Sequence, residues 1–407
     1  MRTFRRFISI MVLLPVLSTC AGLIPTPEPQ DPQEYLENAL NWIQTHAVFG
    51  SRVDWEYVRR AAFKIVPDPQ TTADTYPAIR FALSFLNDDN AFLSEPDSTA
   101  PDDYIGMTFH HHWGPYAVVI YVDPNGPAAK AGVRVGDYVA SFDDSPSQHQ
   151  VVINLIRAGQ SGLIHVVLDK IAPPQNAYNY DPTGRRISAG TAQVGYVELP
   201  LNNGYGLTYP GQVHHLMRKL DRTPICGWMF DLRRNDGGDI WSYLAAIGPI
   251  LGEGDVGGFT YRDDTFEPWS YRDGKVFWAD EERGESLVEG GIYLPKRKMP
   301  PVALLISNYT NAAGELLIIA FKGREKIRTF GEETHGLPTL ILETQLSDGA
   351  GIYLSGAFAT DRNGKIYRGS ILPDENMNTE WSQFGTDQDP VILKAMDWLN
   401  NQPECGK

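Results

Sequence analysis

Hydrophobic residues recur every three to four positions near the start of the chain, and this spacing predicts helices. In DPQEYLENALNWIQTHAV, the apolar residues Tyr35, Leu36, Leu40 and Ile43 fall close to one helical face. The stretches DWEYVRRAAFKIV and TYPAIRFALSFLNDD have the same character. We therefore expect a helical N-terminal subdomain over residues 33–97.

The pattern changes over residues 103–172, where strand-like runs alternate with Gly, Pro and Asp. The stretch GPAAKAGVRVGDYVASFDD resembles a PDZ domain. The resemblance implies a module that binds extended C-terminal peptides by strand addition, with the terminal carboxylate held near Ile105, Gly106 and Met107. A PDZ fold that serves only as a lid or spacer is the alternative, because a fold alone proves no ligand.

Residues 187–376 have the pattern of an α/β core. Apolar strand-like runs (AQVGYVELPL, ICGWMFDLRRNDGGD and PVALLISN) alternate with helical ones (VHHLMRKLD, WSYLAAIGPILG and the segment after NYTNAAGE). This alternation predicts a mostly parallel sheet covered on both faces. Ligands bind beyond the carboxyl ends of such strands, where RRNDGG and NYTNAAGE fall. Residues 377–407 are expected to form a C-terminal helix and tail.

Composition and charge narrow the possible functions. The chain has 407 residues, of which 42% are hydrophobic, so it is long enough for two or three domains. Its net charge of −15 should repel nucleic acid and anionic membranes, so we expect neither as a partner. The resemblance to a PDZ domain implies polypeptide partners, and we expect no cofactor.

The N-terminus has the features of an export signal. In residues 1–20, a basic start precedes the apolar stretch FISIMVLLPVLS, which is too short to span a bilayer. LSTC resembles a bacterial lipoprotein signal, in which Cys20 would become the lipidated N-terminus. Thr19 departs from the usual small residue, so plain secretion stays open. Residues 21–32 form a Pro-rich tether.

Two further cysteines, Cys226 and Cys405, do not make a disulfide scaffold. Cys226 lies in the apolar run ICGWMF, so we expect a small core residue rather than a bridge to the tail. The sequence contains no close pairs of Cys and His, so we expect no structural zinc site.

Five motifs occur in one order: GYVEL, DLRRNDGG, ISNYTNAAGE, FGEETHG and ILPDE. Together with the PDZ-like segment, they resemble the tail-specific or C-terminal processing peptidases, a serine peptidase family whose core is shared with tricorn protease. The resemblance covers about residues 50–376. It implies a crotonase-like, tricorn-type α/β core and a cleft that takes polypeptide substrates.

The nucleophile position of that family is substituted. The family places its serine three residues before the Glu of a Ser-Ala-Gly-Glu-like turn, and here Ala312 lies three residues before Glu315. Ser-x-x-Glu is also a capping box, and losing its hydroxyl costs about 1 kcal/mol of helix stability. A methyl group cannot attack a carbonyl.

The positions of the base are substituted as well. One branch of the family uses a lysine after GE-x-T-x-G, where this chain has Leu337. The tricorn-like branch uses a histidine, and LNDDNAFL places Asn90 there. Asn has no pKa suited to proton transfer near neutrality. The same branch uses an acid near the final PD segment, for which Glu375 and Asp374 are candidates.

The resemblance implies that the oxyanion hole is retained. Its donors are backbone N–H groups, matched here by Gly237, Gly238 and Ala313, and backbone donors survive most side-chain changes. Polar residues of the same turn are expected to give structural support: Asp231, Arg233 and Asn235.

Other polar residues are weaker candidates for chemistry. Ser307 and Thr310 carry hydroxyls near position 312, and His335 lies near the lysine position. We expect His335 to be an exposed loop residue. The run of histidines at 110–112 offers at most two metal ligands on one strand face, so we predict a polar rim on the PDZ groove and no metal site. Of His214 and His215, one should face solvent.

These observations predict an exported, lipid-anchored protein that binds polypeptide C-termini and has lost serine-peptidase chemistry. The alternative is an active serine-type endopeptidase of exported proteins that uses a shifted nucleophile or base. An α/β hydrolase is disfavoured because the sequence has no G-x-S-x-G elbow.

Overall fold

The computed structural model describes residues 31–96, 104–111, 117–147, 149–174, 181–190, 192–201, 208–285 and 291–405. The export signal, Cys20 and most of the tether lie outside these residues, as does His112. In the described part of the chain, no helix is both long enough and apolar enough to cross a membrane.

The α-helices of the described residues are α1 Pro32–His46, α2 Trp55–Ile65, α3 Tyr76–Ser84, α4 Pro127–Lys130, α5 Thr208–Leu220, α6 Ile240–Leu251, α7 Ala313–Phe321 and α8 Pro390–Asn400. The strands are β1 Phe92–Ser94, β2 Met107–His111, β3 Ala117–Val122, β4 Tyr138–Ser147, β5 Gln150–Ile156, β6 Ile164–Asp169, β7 Thr183–Ala189, β8 Ala192–Glu198, β9 Gly227–Asp231, β10 Gly254–Tyr261, β11 Phe266–Arg272, β12 Lys275–Trp278, β13 Glu281–Glu285, β14 Val302–Ile306, β15 Ile327–Gly331, β16 Thr339–Gln345, β17 Gly351–Asp361 and β18 Glu375–Asn376.

The centre of the core is a sheet in the order β18-β15-β14-β9-β8-β7. All its pairings are parallel except that of β7 with β8. The strands β9 and β14 are buried throughout, which explains their continuous apolar sequences. This is the predicted mostly parallel sheet, although β7 begins at residue 183, four residues before the expected start of the core.

A second, antiparallel sheet was not predicted. It runs β1-β17-β10-β11-β12-β13, with β16 also paired to β17. Helices α6 and α7 lie between the two sheets and share one apolar core with both, whereas α8 packs on the opposite face of the parallel sheet. The carboxyl ends of β9 and β14 therefore meet the starts of α6 and α7 at one edge of the core.

The N-terminal helices cover part of the antiparallel sheet. Tyr35, Leu36 and Leu40 of α1 are fully buried against apolar residues of β17. The segment expected to be helical through residue 97 ends in β1, whose Leu93 pairs with Ile352 of β17. The helical subdomain is thus joined to the core through a shared sheet.

The PDZ-like segment forms an antiparallel sheet in the order β2-β3-β4-β5-β6. Its strand β3 packs on the core, where Val118 and Ile120 bury Trp381 of the C-terminal segment. A side chain on Gly136 would come within 2.7 Å of the Ser382 backbone, so the two surfaces are in close contact there. The segment is therefore docked against the core.

Cys226 and Cys405 form a disulfide, so the expectation of an unpaired core cysteine was wrong. Cys226 precedes β9, and Cys405 follows α8, 179 residues later in the chain. The two cysteines come together because α8 packs across β8, β14 and β15 and ends beside the start of β9. Both are almost fully buried. The bridge fixes the end of the chain to the central sheet.

Replacing both bridge cysteines (Cys226→Ser with Cys405→Ser) should lower the free energy of unfolding by about 5 kcal/mol, because a long unfolded-state loop is no longer closed. Denaturant titration would measure this loss. Reductant should reproduce it in the original chain and have no further effect on the variant. Alkylation of both thiols in the denatured chain without reductant would contradict the pairing.

Candidate functional site

A buried ion cluster fixes the carboxyl end of β9. The fully buried Arg233 donates from Nη2 to Asp231 Oδ2 at 2.6 Å and to Asp389 Oδ2 at 2.7 Å. Tyr196 donates to the same Asp231 oxygen at 2.8 Å. Asp389 also caps α8 by accepting the amide of Val391. The cluster thus holds β8, β9 and α8 together directly beneath the Gly-Gly turn.

The turn that follows is held by side-chain hydrogen bonds. Asn235 donates to the Leu199 carbonyl at 2.8 Å and accepts the Gly237 amide at 3.1 Å through Oδ1. Tyr243 of α6 donates to the Gly237 carbonyl at 3.1 Å. The Asn235 carbonyl accepts the amide of Asn311 at 2.9 Å. These bonds agree with the structural role predicted for Asn235 and connect the turn to the start of α7.

Ala312 is the N-cap residue of α7 and has a strained backbone. Its φ of 44° and ψ of −115° lie outside the regions that residues with a Cβ normally adopt. The Asn311 side chain accepts the Ala312 amide at 2.8 Å. A Cβ placed on Gly237 would lie 3.3 Å from the Ala312 Cβ. The structure therefore brings residue 312 and the Gly-Gly turn together in a tight crevice.

Two backbone amides adjoin this crevice. The amides of Gly238 and Ala313 donate to no other residue in the described ranges. Ala313 is the first residue of α7, where the helix dipole favours negative charge. The Gly237 amide is already satisfied by Asn235, so of the three predicted oxyanion-hole residues it fits least as a free donor.

Glu315 ties the start of α7 to the loop that carries the lysine position. It is fully buried, and its Oε1 accepts Thr334 Oγ1 at 2.5 Å and the Gly336 amide at 2.9 Å. Its Oε2 accepts the Leu337 amide at 3.1 Å. Burial raises the pKa of the Glu315 carboxyl to about 7, although these hydrogen bonds oppose the shift. Leu337, which has no ionisable group, is thus hydrogen-bonded to the residue one helical turn after Ala312.

Asn90, at the predicted base position, belongs to a polar cluster. Its side chain donates to Thr339 Oγ1 at 3.1 Å and Ser355 Oγ at 3.3 Å, and Ser355 in turn donates to Asp88 at 2.9 Å. Thr339 follows Leu337 by two residues, so the cluster adjoins the loop held by Glu315. That position 90 corresponds to the base position of the family stays a prediction, and Asn90 itself serves here as a hydrogen-bond donor.

The acids near the end of the core are engaged with β15. Glu375 pairs with Arg328 at 2.5 Å, and Arg328 lies opposite Ala303, toward the amino end of β14. Asp374 accepts the Thr329 amide at 2.8 Å. The Glu375 carboxylate is thus engaged by Arg328, and the acid role of Glu375 stays a prediction.

The neighbouring hydroxyls are occupied in the interior. Ser307 and Thr310 are fully buried. Ser307 donates to the Arg233 carbonyl at 2.7 Å, and Thr310 donates to the Leu232 carbonyl at 2.9 Å. Both therefore hold the β9 and β14 ends together and face the protein, not the crevice.

The predicted histidines have separate environments. His335 is exposed, as expected, and its amide donates to the Thr310 carbonyl at 3.0 Å. His214 is fully buried whereas His215 faces solvent. Burial lowers the pKa of His214 to about 4. Its Nδ1 accepts the Tyr293 amide, so Nε2 carries the proton donated to the Ala246 carbonyl at 3.0 Å.

The predicted peptide-binding loop is tightly packed. Gly106 has a φ of 74°, and a Cβ on it would lie 2.8 Å from the Gly126 Cα. The Ile105 carbonyl accepts the Ala128 amide at 3.0 Å. Met107 begins β2, which is an edge strand among the described strands. His110 of β2 contacts Asn308 Oδ1 at 2.9 Å, so the PDZ-like edge reaches the loop before Ala312.

Sequence reasoning missed Arg234, which connects the core to the PDZ-like sheet. It donates to Glu198 Oε1 at 2.7 Å and to the Ile120 carbonyl at 3.3 Å. Its guanidinium lies 5.5 Å from the Tyr121 ring and 4.5 Å from the Phe384 ring. The two adjacent arginines of RRNDGG indicated that this turn carries charge. Their spacing could not show that Arg233 is buried and that Arg234 lies at the interface.

Residues 193–377 match the model of peptidase family S41. The core of this chain is therefore similar to that family. In the described residues, no group of three or more His, Cys, Asp or Glu side chains could hold a metal ion.

Similar proteins include C-terminal processing peptidases. The chain is 24% identical over 360 residues to the chloroplastic C-terminal processing peptidase of Tetradesmus obliquus, covering 80% of this chain and 72% of that protein. It is 28% identical over 190 residues to the nisin-resistance protein of Lactococcus lactis subsp. lactis, covering 46% of this chain and only 54% of that protein. The structure of a photosystem II D1 C-terminal processing protease matches with a TM-score of 0.57 at 22% identity, over 86% of this chain and 94% of that one.

Ala312→Gly should stabilise the protein by about 1 kcal/mol, because glycine adopts the positive φ of this residue without the usual strain. Denaturant titration would measure the gain. Ala313→Gly, one residue further into normal helical backbone, is the matched control and should destabilise the protein. Destabilisation by both changes would contradict the strained conformation of residue 312.

Glu315→Gln should alter the dependence of stability on pH. The carboxyl pKa rises from 4.5 to about 7 on folding, so the folded state binds more protons between these values and its stability falls as pH rises. The stability of the original chain relative to the variant should therefore decline by up to roughly 3 kcal/mol over this range. Denaturant titrations at stepped pH would measure this decline. The lowered pKa of His214 changes stability in the opposite direction, but both proteins contain His214, so its effect drops out of their difference. A constant difference would refute the raised pKa.

Proposed function

We propose that this protein is an exported member of peptidase family S41 that binds polypeptides, including their C-termini, without cleaving them. The observation that carries the proposal is Ala312. The residue at the N-cap of α7, beside Gly237, has no nucleophilic atom.

The nearby hydroxyls offer no substitute. Ser307 and Thr310 each donate to a buried main-chain carbonyl, and their removal from those bonds would leave buried polar groups unpaired. Leu337 and Asn90 supply no base at either position used in the family. Both the nucleophile and the base are missing at the positions used in the family. This double absence favours a binding protein over an enzyme in which only one catalytic group has been replaced.

The proposed binding surfaces are the crevice and the edge strand β2. The amides of Gly238 and Ala313 can donate hydrogen bonds to a carbonyl or carboxylate oxygen in the crevice. The edge strand β2 offers main-chain groups for strand addition and lies beside Asn308 of the same loop. A polypeptide bound along β2 would therefore be close to the crevice.

Export is supported by two independent features. The first twenty residues have the pattern of a secretory signal ending at Cys20, and the Cys226–Cys405 disulfide suits an oxidising compartment. Lipid attachment at Cys20 would hold the protein at a membrane through the Pro-rich tether. Mass spectrometry of the N-terminal peptide would separate lipidation from plain secretion.

Restoring the missing groups tests the proposal. The original chain should hydrolyse no unfolded polypeptide and take no label from a serine-reactive phosphonate. Ala312→Ser with Asn90→His should regain both, with hydrolysis at least about a hundredfold above the original background, because a serine without its base is a weak nucleophile.

The single variants are the controls. Ala312→Ser alone should be labelled slowly, and Asn90→His alone should remain silent. Hydrolysis by the original chain that is abolished by removing one of its own hydroxyl groups would overturn the proposal and identify an active endopeptidase with a shifted nucleophile.

A further inference from the structure

A cavity of about 410 Å³ lies between the PDZ-like sheet and the core. Thr108 of β2 and Tyr121 of β3 form its walls on one side. Pro200, Arg234 and Tyr309 form part of the core side. The cavity therefore adjoins both the β2 edge and the loop that leads to Ala312, where a polypeptide bound as proposed would pass.

The walls combine apolar surface with charge. Ile120, Pro124 and Pro200 contribute apolar surface, and Tyr121 and Tyr309 contribute aromatic rings. Such walls suit the aliphatic part of a long side chain. The charged groups around the polar end of that side chain then determine which residue type binds.

The positive charge in the cavity is already neutralised. Arg234 donates from Nε to Glu198 Oε1 at 2.7 Å and is covered by the rings of Tyr121 and Phe384. Thr183 donates to the other Glu198 oxygen at 3.3 Å. Arg234 and Glu198 together leave no net charge for a ligand to meet.

Two further carboxylates line the cavity and have only neutral partners among the described residues. Asp123 accepts Tyr104 Oη at 2.6 Å and the Asn125 amide at 2.9 Å. Asp181 accepts Gln212 Nε2 at 2.9 Å. Neither carboxylate forms an ion pair with a cation in the described ranges, so the lining keeps two uncompensated negative charges.

We infer that this cavity receives a lysine or arginine side chain of the bound polypeptide, and that the protein selects cationic polypeptides. This inference rests on the proposed peptide-binding function. The apolar and aromatic walls accommodate the alkyl stem, and Asp123 and Asp181 supply acceptors for the charged end. Carboxylates across an interface favour a cationic partner and disfavour an anionic one.

Binding of two defined peptide pools tests the inference. Both pools contain fluorescent octapeptides with free C-termini, built from Ala, Ser, Leu and Val, with two residues at varied positions replaced by Lys in one pool and Glu in the other. Anisotropy should show the Lys pool binding at least about tenfold more tightly at low salt, with the difference shrinking at about 0.2 M salt through screening.

Charge variants of the cavity identify the source of the preference. Asp123→Asn with Asp181→Asn should reduce the preference to within about twofold, and Asp123→Lys with Asp181→Lys should reverse it. The matched control is Asp68→Asn with Asp397→Asn. It changes the net charge equally, at two exposed positions outside the cavity lining, and should keep the preference.

The outcomes separate the two hypotheses. Equal binding of both pools, or a preference that the cavity variants keep, would overturn the selection of cations but leave peptide binding intact. A preference lost equally in the control would assign it to overall charge and not to the cavity. Failure of both pools to bind would overturn the proposed function together with this inference.

Discussion

Arg233 is a fully buried cation at the end of the central strand, and its charge must be balanced inside the protein. Asp231 on the same strand and Asp389 at the start of α8 provide that balance, and Tyr196 of β8 completes the hydrogen bonding. Removing either acid would leave charge uncompensated in the interior. The positions of β8, β9 and α8, and hence of the Gly-Gly turn above them, depend on this cluster.

The turn and the start of α7 extend the same rigid region. Asn235 links the Gly-Gly turn to Asn311, and Glu315 links α7 to the loop at Leu337. Phe384 lies 4.5 Å from the guanidinium groups of both Arg233 and Arg234. Through Arg234, the cluster that supports the crevice also contacts the PDZ-like sheet. The crevice is thus preorganised by bonds that do not involve a nucleophile, so its shape can survive the loss of one.

Much of this architecture could be predicted from the sequence, but not all of it. The buried strands β9 and β14 and the helix after Ala312 follow from continuous apolar runs and motif order. The strands from Gly254 to Glu285 were overlooked, although the alternation in FEPWSYRDGKVFW is typical of an antiparallel sheet. The positive φ of Ala312 is imposed by the turn geometry and contradicts the preference of alanine itself. The carboxylate of Glu375 was assigned from its position in a motif, and nothing in the sequence indicated its pairing with Arg328.

The Cys226–Cys405 bridge has a consequence for the order in which the protein can be assembled. The covalent partner of Cys226 lies 179 residues further along the chain, and the counter-charge Asp389 lies 156 residues after Arg233. The central sheet therefore cannot reach its final form before residues 389–405 have been synthesised. Until then, β9 lacks both its covalent partner and one of the two acids that balance Arg233.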